Sequence, residues 1–391
     1  MARRFQKSFT EPDLLKALQR PVLLLIVRPA AEVLAEKGFT LPEANESLDY
    51  RALAASLAEP DSRINDLAEA LFLIRNVGVD ERFDELREVA GNLNVRIDPL
   101  DSVADIAARI YLAEPQALIR LDRANLYRRR RKFESFVTRD ACQLSPEQML
   151  TDVSGLEGEL SDWFVSTKRG RRCTVTRIAC PGELRFLVQH GEPYTRRASC
   201  DDDHSGAVFY RPEQTDFVAF DFTYNELRIN ARHIREVKVY RRLFSLHLFD
   251  DEGFLVYAEK YTLEPLRDQG RAALESRDID GIEDVALEEL ECFWPGPYSH
   301  RDRTYATDVL GALSHRWRSI RATAELRMAK FGIKLRGERD SRSLRIKPRN
   351  VAEYSHGEGG EVIEEWMRHR GFIRIGAAAI DDETEAFVER A

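Results

Sequence analysis

Leu326 to Lys347 reads LRMAKFGIKLRGERDSRSLRIK, and this stretch decides the fold of the last third of the chain. Two β-prone runs, Leu326 to Leu335 and Ser343 to Lys347, flank the polar loop Gly337-Glu338-Arg339-Asp340-Ser341. Side chains alternate across a strand, so Phe331, Ile333 and Leu335 share one face, and Leu344 and Ile346 supply the partner strand's apolar side. Lys334, Arg336, Arg345 and Lys347 then fall together on the other face, with Arg349 just beyond. Upstream, Val285, Leu287 and the run to Trp294 suit a strand stopped by Pro295-Gly296-Pro297, and Thr304 to His315 suits a helix. Downstream, Val362, Ile363, Trp366 and Met367 give Glu361 to Arg370 an apolar helical stripe, and Gly371 is placed to end it. The expected unit is a basic β-α-β-β-α module over residues 281–376, followed by an acidic tail at 377–391 around Asp381-Asp382-Glu383.

The two preceding regions differ in pattern. Residues 11 to about 135 read as helical, because Leu53, Leu57, Ile64, Leu67, Leu71 and Ile74 recur at helical spacing. Asp66, Glu69, Asp80, Glu81, Asp84, Glu85 and Glu88 keep the outer side acidic. Pro60-Asp61 and Gly78 punctuate the helices, and Ser102 is placed to cap a helix over Val103 to Leu112. From about residue 170 short β-like runs take over. Leu184, Phe186 and Val188 alternate with Arg185, Leu187 and Gln189, and Asp216–Phe222 with Glu226–Ile229 form a hairpin around Thr223-Tyr224-Asn225. Ile234 to Leu248 reads either as an amphipathic helix through Val237, Tyr240, Phe244 and Leu248 or as a hairpin closed at Asp250-Asp251-Glu252-Gly253. The fold class is therefore α+β: an acidic helical domain at 1–150, a β-rich α+β domain at 151–280 and the basic C-terminal module.

Charge is unevenly placed. Residues 301–350 carry 14 Lys and Arg against 5 Asp and Glu, a balance of +9 in a chain whose net charge is −8. Fifty residues of one sign attract nucleic acid, an acidic protein or the chain's own acidic part. Composition, at 43% apolar and 32% charged with 20 Phe and 12 Tyr, is that of a folded protein and not a disordered one. The apolar run Val22 to Val27 is too short for a signal-peptide core or a membrane span. Cys142, Cys173, Cys180, Cys200 and Cys292 are odd in number and irregularly spaced, which implies no disulfide framework and a reducing cytoplasm.

The candidate nucleic-acid contacts are Lys334, Arg336, Arg345, Lys347 and Arg349, each Lys or Arg displacing about one counterion from a phosphate backbone. Arg316, Trp317, Arg318 and Arg321 join them, with Trp317 as a base-stacking side chain. Two further clusters, Arg128, Arg129, Arg130, Arg131 and Lys132, and Lys168, Arg169, Arg171 and Arg172, serve either as further contacts or as solvated linkers. Asp201-Asp202-Asp203-His204 invites a metal, but adjacent carboxylates on a loop diverge. Cys173, Cys180, Cys200 and His204 do not match zinc spacing. No metal or other cofactor is expected.

Asp221 with Glu236 and Lys238 has the spacing of an Asp…Glu-x-Lys metal-dependent nuclease, a pattern that also arises by chance. Nucleotide-binding and hydrolase signatures are absent. Gly357-Glu358-Gly359-Gly360 opens the last helix, yet its glutamates repel a phosphate. The expectation is a non-enzymatic nucleic-acid-binding component of a multi-protein assembly, of a kind that acts on foreign DNA or RNA, with protein partners engaged by the helical domain and no membrane. Its alternatives are the nuclease and a scaffold whose basic module docks on an acidic protein.

Overall fold

The computed structural model describes residues 11–43, 46–58, 61–140, 149, 152–180, 182–200, 205–357, 359–374 and 379–380. The chain divides into two compact units, Met1–Leu126 and Tyr127–Ala391. The acidic tail apart from Ala379 and Ile380, Cys142, Pro60 and Asp201-Asp202-Asp203-His204 lie outside the described residues.

The first unit is helical, with α1 (Pro12–Lys16), α2 (Arg20–Val27), α3 (Ala31–Glu36), α4 (Tyr50–Ala58), α5 (Asn65–Val77), α6 (Phe83–Asn92) and α7 (Val103–Ala113). Then α8 (Pro115–Arg129) begins. The expected stripe is buried throughout: Leu53, Leu57, Ile64, Leu67, Leu71 and Ile74 join Val22, Leu23, Ile26 and Val27 in one core. Ser102 caps α7 as its sequence implies. Its hydroxyl accepts from the Asp105 N–H at 3.1 Å, and the Asp105 carboxylate accepts from the Ser102 N–H at 2.9 Å. Asp105 also accepts from the Gln19 N–H at 2.7 Å, so one buried carboxylate ties the start of α2 to the start of α7.

The second unit is built on a twelve-stranded sheet whose strand pairings are all antiparallel. In chain order its elements begin with β1 (Lys132–Thr138), α9 (Ser154–Ser166), β2 (Cys173–Cys180) and β3 (Glu183–Gly191). A separate two-stranded ribbon follows, β4 (Thr195–Cys200) with β5 (Ser205–Tyr210). The chain returns to the sheet with β6 (Glu213–Asp221), β7 (Glu226–Asn230), α10 (Ile234–Phe249), β8 (Leu255–Ala258) and α11 (Glu264–Asp268). It continues with β9 (Ile282–Trp294), β10 (His300–Tyr305), α12 (Val309–His315), β11 (Glu325–Leu335), β12 (Arg342–Lys347), β13 (Val351–Glu353), α13 (Gly360–His369) and β14 (Ala379–Ile380). The strand order is β10-β9-β11-β12-β13-β1-β7-β6-β3-β2, with β8 pairing both β1 and β14.

The β6–β7 hairpin, the amphipathic helix α10 and the β11–β12 pair agree with the sequence pattern. Phe331, Ile333, Leu344 and Ile346 are fully buried against Trp366, Met367 and Phe372. Gly371 follows α13 at a φ of 75°.

Four expectations change. Lys132–Thr138 is a strand and not the end of the helical region: Phe133 and Ser135 are buried on one face and Phe136 on the other, and the run pairs with β13 and β7. Thr304 and Tyr305 close β10 rather than opening a helix. The helix starts only at Val309, where the Asp308 carboxylate accepts from the Gly311 N–H at 2.9 Å. The last segment therefore runs β-β-α-β-β-β-α, with β10 and β13 added. Nor does it stand alone, since β13 joins β12 to β1 and one sheet crosses the boundary expected at 280.

Replacing Asp105 with Ala leaves two backbone N–H groups without acceptors and costs the first unit about 2 kcal/mol, whereas Ser102→Ala costs about 1 kcal/mol. Urea unfolding of the full chain followed by helical circular dichroism measures both.

Candidate functional site

Period-two alternation splits the polar residues of β3 and β6 between the two faces of the sheet. His190 and Asp216 lie in phase with Leu184, Phe186, Val188, Val218 and Phe220, which pack on α9 and α10. Glu183, Arg185 and Asp221 lie in the opposite phase and face away from those helices. Two charged sites result, back to back.

On the helix side, the His190 ring stacks on Phe164 with centroids 4.0 Å apart. Its Nε2 meets Asp216 Oδ2 at 3.1 Å and its Nδ1 meets the Gly191 carbonyl at 3.0 Å. Both neighbours are acceptors, an arrangement that favours the doubly protonated ring. Tyr240 donates its hydroxyl to the same Asp216 oxygen at 2.8 Å. Glu236, in the first turn of α10, accepts from Arg169 Nη1 and from the His233 N–H, the latter at 2.7 Å. Ligand atoms of His190, Asp216 and Glu236 lie within 4.8 Å of one another, the one group among the described residues close enough to hold a metal ion. The basic side chains these carboxylates already engage are Arg169 and His190.

Beside this network opens a cleft of about 380 Å³ lined by Arg169, Gly170, Arg171, Arg172, His190 and Arg211 among others. Arg211 Nη1 donates to the Lys168 carbonyl at 2.6 Å and to the Glu192 carbonyl at 3.0 Å, which clamps the 168–172 loop to the end of β3. A Cβ on Gly191 would sit 2.4 Å from the Arg169 carbonyl and 2.5 Å from Arg211 Cδ, so only glycine fits there. Arg171 and Arg172 are exposed and have no carboxylate partner among the described residues. The β4–β5 ribbon springs from the same cleft, presenting Arg196, Arg197 and the stacked, exposed pair Tyr194 and Phe209.

On the opposite face a second cleft, about 470 Å³, is walled by Glu183, Asp221, Arg228, Tyr224, His356 and the first turns of α13. Arg228 donates to Glu183 at 2.7 Å and to Asp221 at 3.3 Å, and Tyr127 donates its hydroxyl to Glu183 at 3.0 Å.

The nuclease trio is not assembled. Asp221 sits in the second cleft, Glu236 is buried on the other face, and Lys238, two residues further along α10, is exposed. Glu and Lys two apart on a helix point to different sides, whereas that chemistry needs a strand.

The basic ribbon is partly engaged by partners within the fold. β13 places Glu353 opposite Arg345, and it pairs with Arg345 at 3.1 Å and Lys347 at 2.9 Å. Lys334 donates to the Arg339 carbonyl at 2.6 Å, and Arg349 lies 3.9 Å from Glu259, leaving Arg336 exposed. In the 128–132 run, Arg128 and Arg129 close α8 and Arg131 is exposed. Arg130 covers the Phe217 ring at 5.1 Å and donates to the Thr215 carbonyl at 3.0 Å, and Lys132 lies 3.4 Å from Glu134. Arg169 is buried on Glu236 and is not free for a phosphate, whereas Lys168 is exposed.

Arg316, Trp317, Arg318 and Arg321 are exposed together just beyond α12, with no carboxylate partner for any of the three arginines among the described residues. Trp317 is 98% exposed and has a φ of 55°. Its N–H bonds the Ser314 carbonyl and the Arg318 N–H the Leu313 carbonyl, so the tryptophan occupies the left-handed position that glycine usually takes at a helix end.

The thiols offer little chemistry: no disulfide joins Cys173, Cys180, Cys200 and Cys292 among the described residues, and burial pushes the Cys173 thiol up to about 12. No protein-family model and no curated protein matches the sequence.

Burial pulls the His190 pKa down, but the Asp216 hydrogen bond and the Gly191 carbonyl outweigh it and hold the ring above its usual 6.5. A folded pKa above the unfolded one gives stability that is complete below about 6.5 and lost as pH rises through the folded value. Urea midpoints of the second unit therefore fall on the alkaline side of 6.5 in the wild type, and His190→Gln lacks that component.

Proposed function

We propose that the protein is a non-enzymatic nucleic-acid-binding component, with single-stranded segments as its preferred target. The observation that carries the reading is the loop after α12, where a fully exposed Trp317 is flanked by Arg316, Arg318 and Arg321. An L-residue in the left-handed region costs about 1–2 kcal/mol relative to the right-handed helix, more awkwardly for a bulky ring than for Asn or Gly. Solvent alone returns nothing for that cost, and an aromatic face between guanidinium groups is the arrangement that stacks a base while neighbouring charges meet phosphates.

The cleft at Arg171 and Arg172 supplies a second contact. A buried Glu236–Arg169 pair anchors its loop, which leaves the next two arginines outward with their charge uncompensated. The exposed Tyr194 and Phe209 pair on the β4–β5 ribbon adds a sequence-tolerant stacking surface. No helix among the described residues is long and apolar enough to cross a membrane. Assembly with other proteins, a cytoplasmic site and a role against foreign DNA or RNA belong to the same proposal.

Fluorescence anisotropy with labelled single-stranded and duplex DNA and RNA across a salt series tests it. Trp317→Gly is the decisive variant, because it relieves the backbone while removing the ring. Its folding stability is expected to hold or rise by about 1 kcal/mol, while single-strand affinity falls about five- to hundred-fold. The Arg316, Arg318 and Arg321 triple alanine variant lowers the salt slope by roughly 0.7 for each phosphate contact removed. Wild-type protein that binds none of the four ligands at low salt would overturn the proposal and favour docking on an acidic protein.

A further inference from the structure

The cleft between the 168–172 loop and the end of β3 is lined by three guanidinium groups that the fold leaves without a counter-charge. Arg171, Arg172 and Arg211 are all exposed, and none has a carboxylate partner among the described residues. Arg211 is the fixed member of the set. The Lys168 and Glu192 carbonyls hold its Nη1 at 2.6 and 3.0 Å, which orients the group but does not neutralise it. A side chain already held in place gives up less freedom when it meets a ligand. The loop passes close beside it: a Cβ on Gly170 would meet Arg211 Nε at 3.2 Å and Cζ at 3.5 Å. Gly170, at a φ of 89°, and Gly191 border the cleft with backbone alone, which leaves room for a group to approach closely.

The charges of the lining do not cancel. Arg169 also borders the cleft, but Glu236 offsets its charge. The carboxylate in the lining is that of Glu213, which accepts from the neutral Gln189 Nε2 at 3.0 Å. Three positive groups against one negative leave two positive charges in excess. A phosphate monoester carries about −1.5 to −2 at neutral pH, whereas each phosphate inside a strand carries a single charge. Guanidinium groups match phosphate oxygens in geometry as well as in charge. In the second cleft, by contrast, the side chains without a counter-charge among the described residues are the exposed Glu361 and Glu365 at its rim, so an anion is drawn to the first cleft.

The walls of the first cleft lead directly to an aromatic surface. Phe209 stands two residues before Arg211, and Tyr194 three residues after Gly191. Their rings stack with centroids 6.3 Å apart, and more than half of each side chain is exposed. A volume of about 380 Å³ is that of a site for one small molecule.

Resting on the nucleic-acid reading above, we propose that this cleft holds the terminal phosphate monoester of a nucleotide. Arg171, Arg172 and Arg211 meet its oxygens, and the adjoining base lies against the Tyr194 and Phe209 pair. The 5′ end of a strand, its 3′ end and a free nucleotide all offer that group.

Fluorescence anisotropy of the full chain tests this with short single strands that differ only in carrying a 5′-phosphate, a 3′-phosphate or hydroxyls at both ends. A phosphorylated end is expected to raise affinity about tenfold or more, the return on one charge-assisted pair. Whichever end gains identifies it, and titration with adenosine 5′-monophosphate measures the free nucleotide. Arg171→Ala with Arg172→Ala, at exposed positions without partners, abolishes the preference. The Arg316, Arg318 and Arg321 triple alanine variant weakens every strand and keeps the preference. Equal affinity for all three strands overturns the proposal while leaving strand binding in place, and so does a preference that survives in the double variant. Should no strand bind, adenosine 5′-monophosphate decides. Binding that is tighter than that of inorganic phosphate and lost in the double variant upholds a nucleotide site without the nucleic-acid reading. Absence of monophosphate binding at about 10 mM, or equal affinity for inorganic phosphate, then overturns both.

Discussion

The second unit depends on keeping charge inside a sheet without leaving any of it unpaired. β3 and β6 are neighbours in the sheet, and each carries ionisable side chains on both of its faces. Desolvating one such group costs several kcal/mol unless a counter-charge and hydrogen bonds accompany it. The chain answers with guanidinium groups from elsewhere: Arg169 from the loop after α9, Arg228 from β7 and Arg185 from β3 itself. Arg169 and Arg228 each join two elements, whereas Arg185 pairs with Glu183 on its own strand. Removing one partner from such a pair typically costs about 3–5 kcal/mol, because the remaining charge is stranded. The pairs therefore weigh more as constraints on register and orientation than as net sources of stability.

That arrangement also explains why the two clefts differ in character. Where the buried acids and bases match, as around Glu183 and Arg228, excess charge appears only at the rim, and it is negative. Where a buried glutamate holds the first arginine of a basic run, the arginines after it are pushed outward, and the cleft beside them is positive. One sheet can therefore present opposite fields on its two faces while each interior remains neutral.

Much of the architecture was legible in the sequence. The stripe through Leu53 to Ile74, the Ser102 cap, the hairpin around Asn225 and the alternation of Phe331, Ile333 and Leu335 all follow from local periodicity. Local pattern cannot say which strand lies beside which, and so it cannot say which basic side chains meet a carboxylate. Arg345 and Lys347 stand on the solvent face as alternation requires, but Glu353 arrives beside them through a pairing that only the folded sheet defines. Arg169 looked like one more member of a basic run, and its neutralisation by Glu236 spans 67 residues. A signal did exist for the buried network. His190 and Asp216 continue the inward phase of Val188 and Val218, so polar side chains at core positions could have been read as a paired site. Trp317 needed no long-range information, since a run of arginines around one tryptophan after a short helix is visible directly.

The place of β10 at the end of the strand order has a consequence for how the molecule behaves at high concentration. A terminal strand leaves a row of backbone donors and acceptors open to pairing with another chain. Here that row is carried by His300, Arg301, Asp302 and Arg303, all exposed, with both signs of charge interleaved along four residues. A second copy approaching in register would have to desolvate these groups before any backbone hydrogen bond could form. The long β9–β10 hairpin is thus guarded by its own sequence against edge-to-edge growth, and solubility is written into the strand where an extended sheet is most exposed to aggregation.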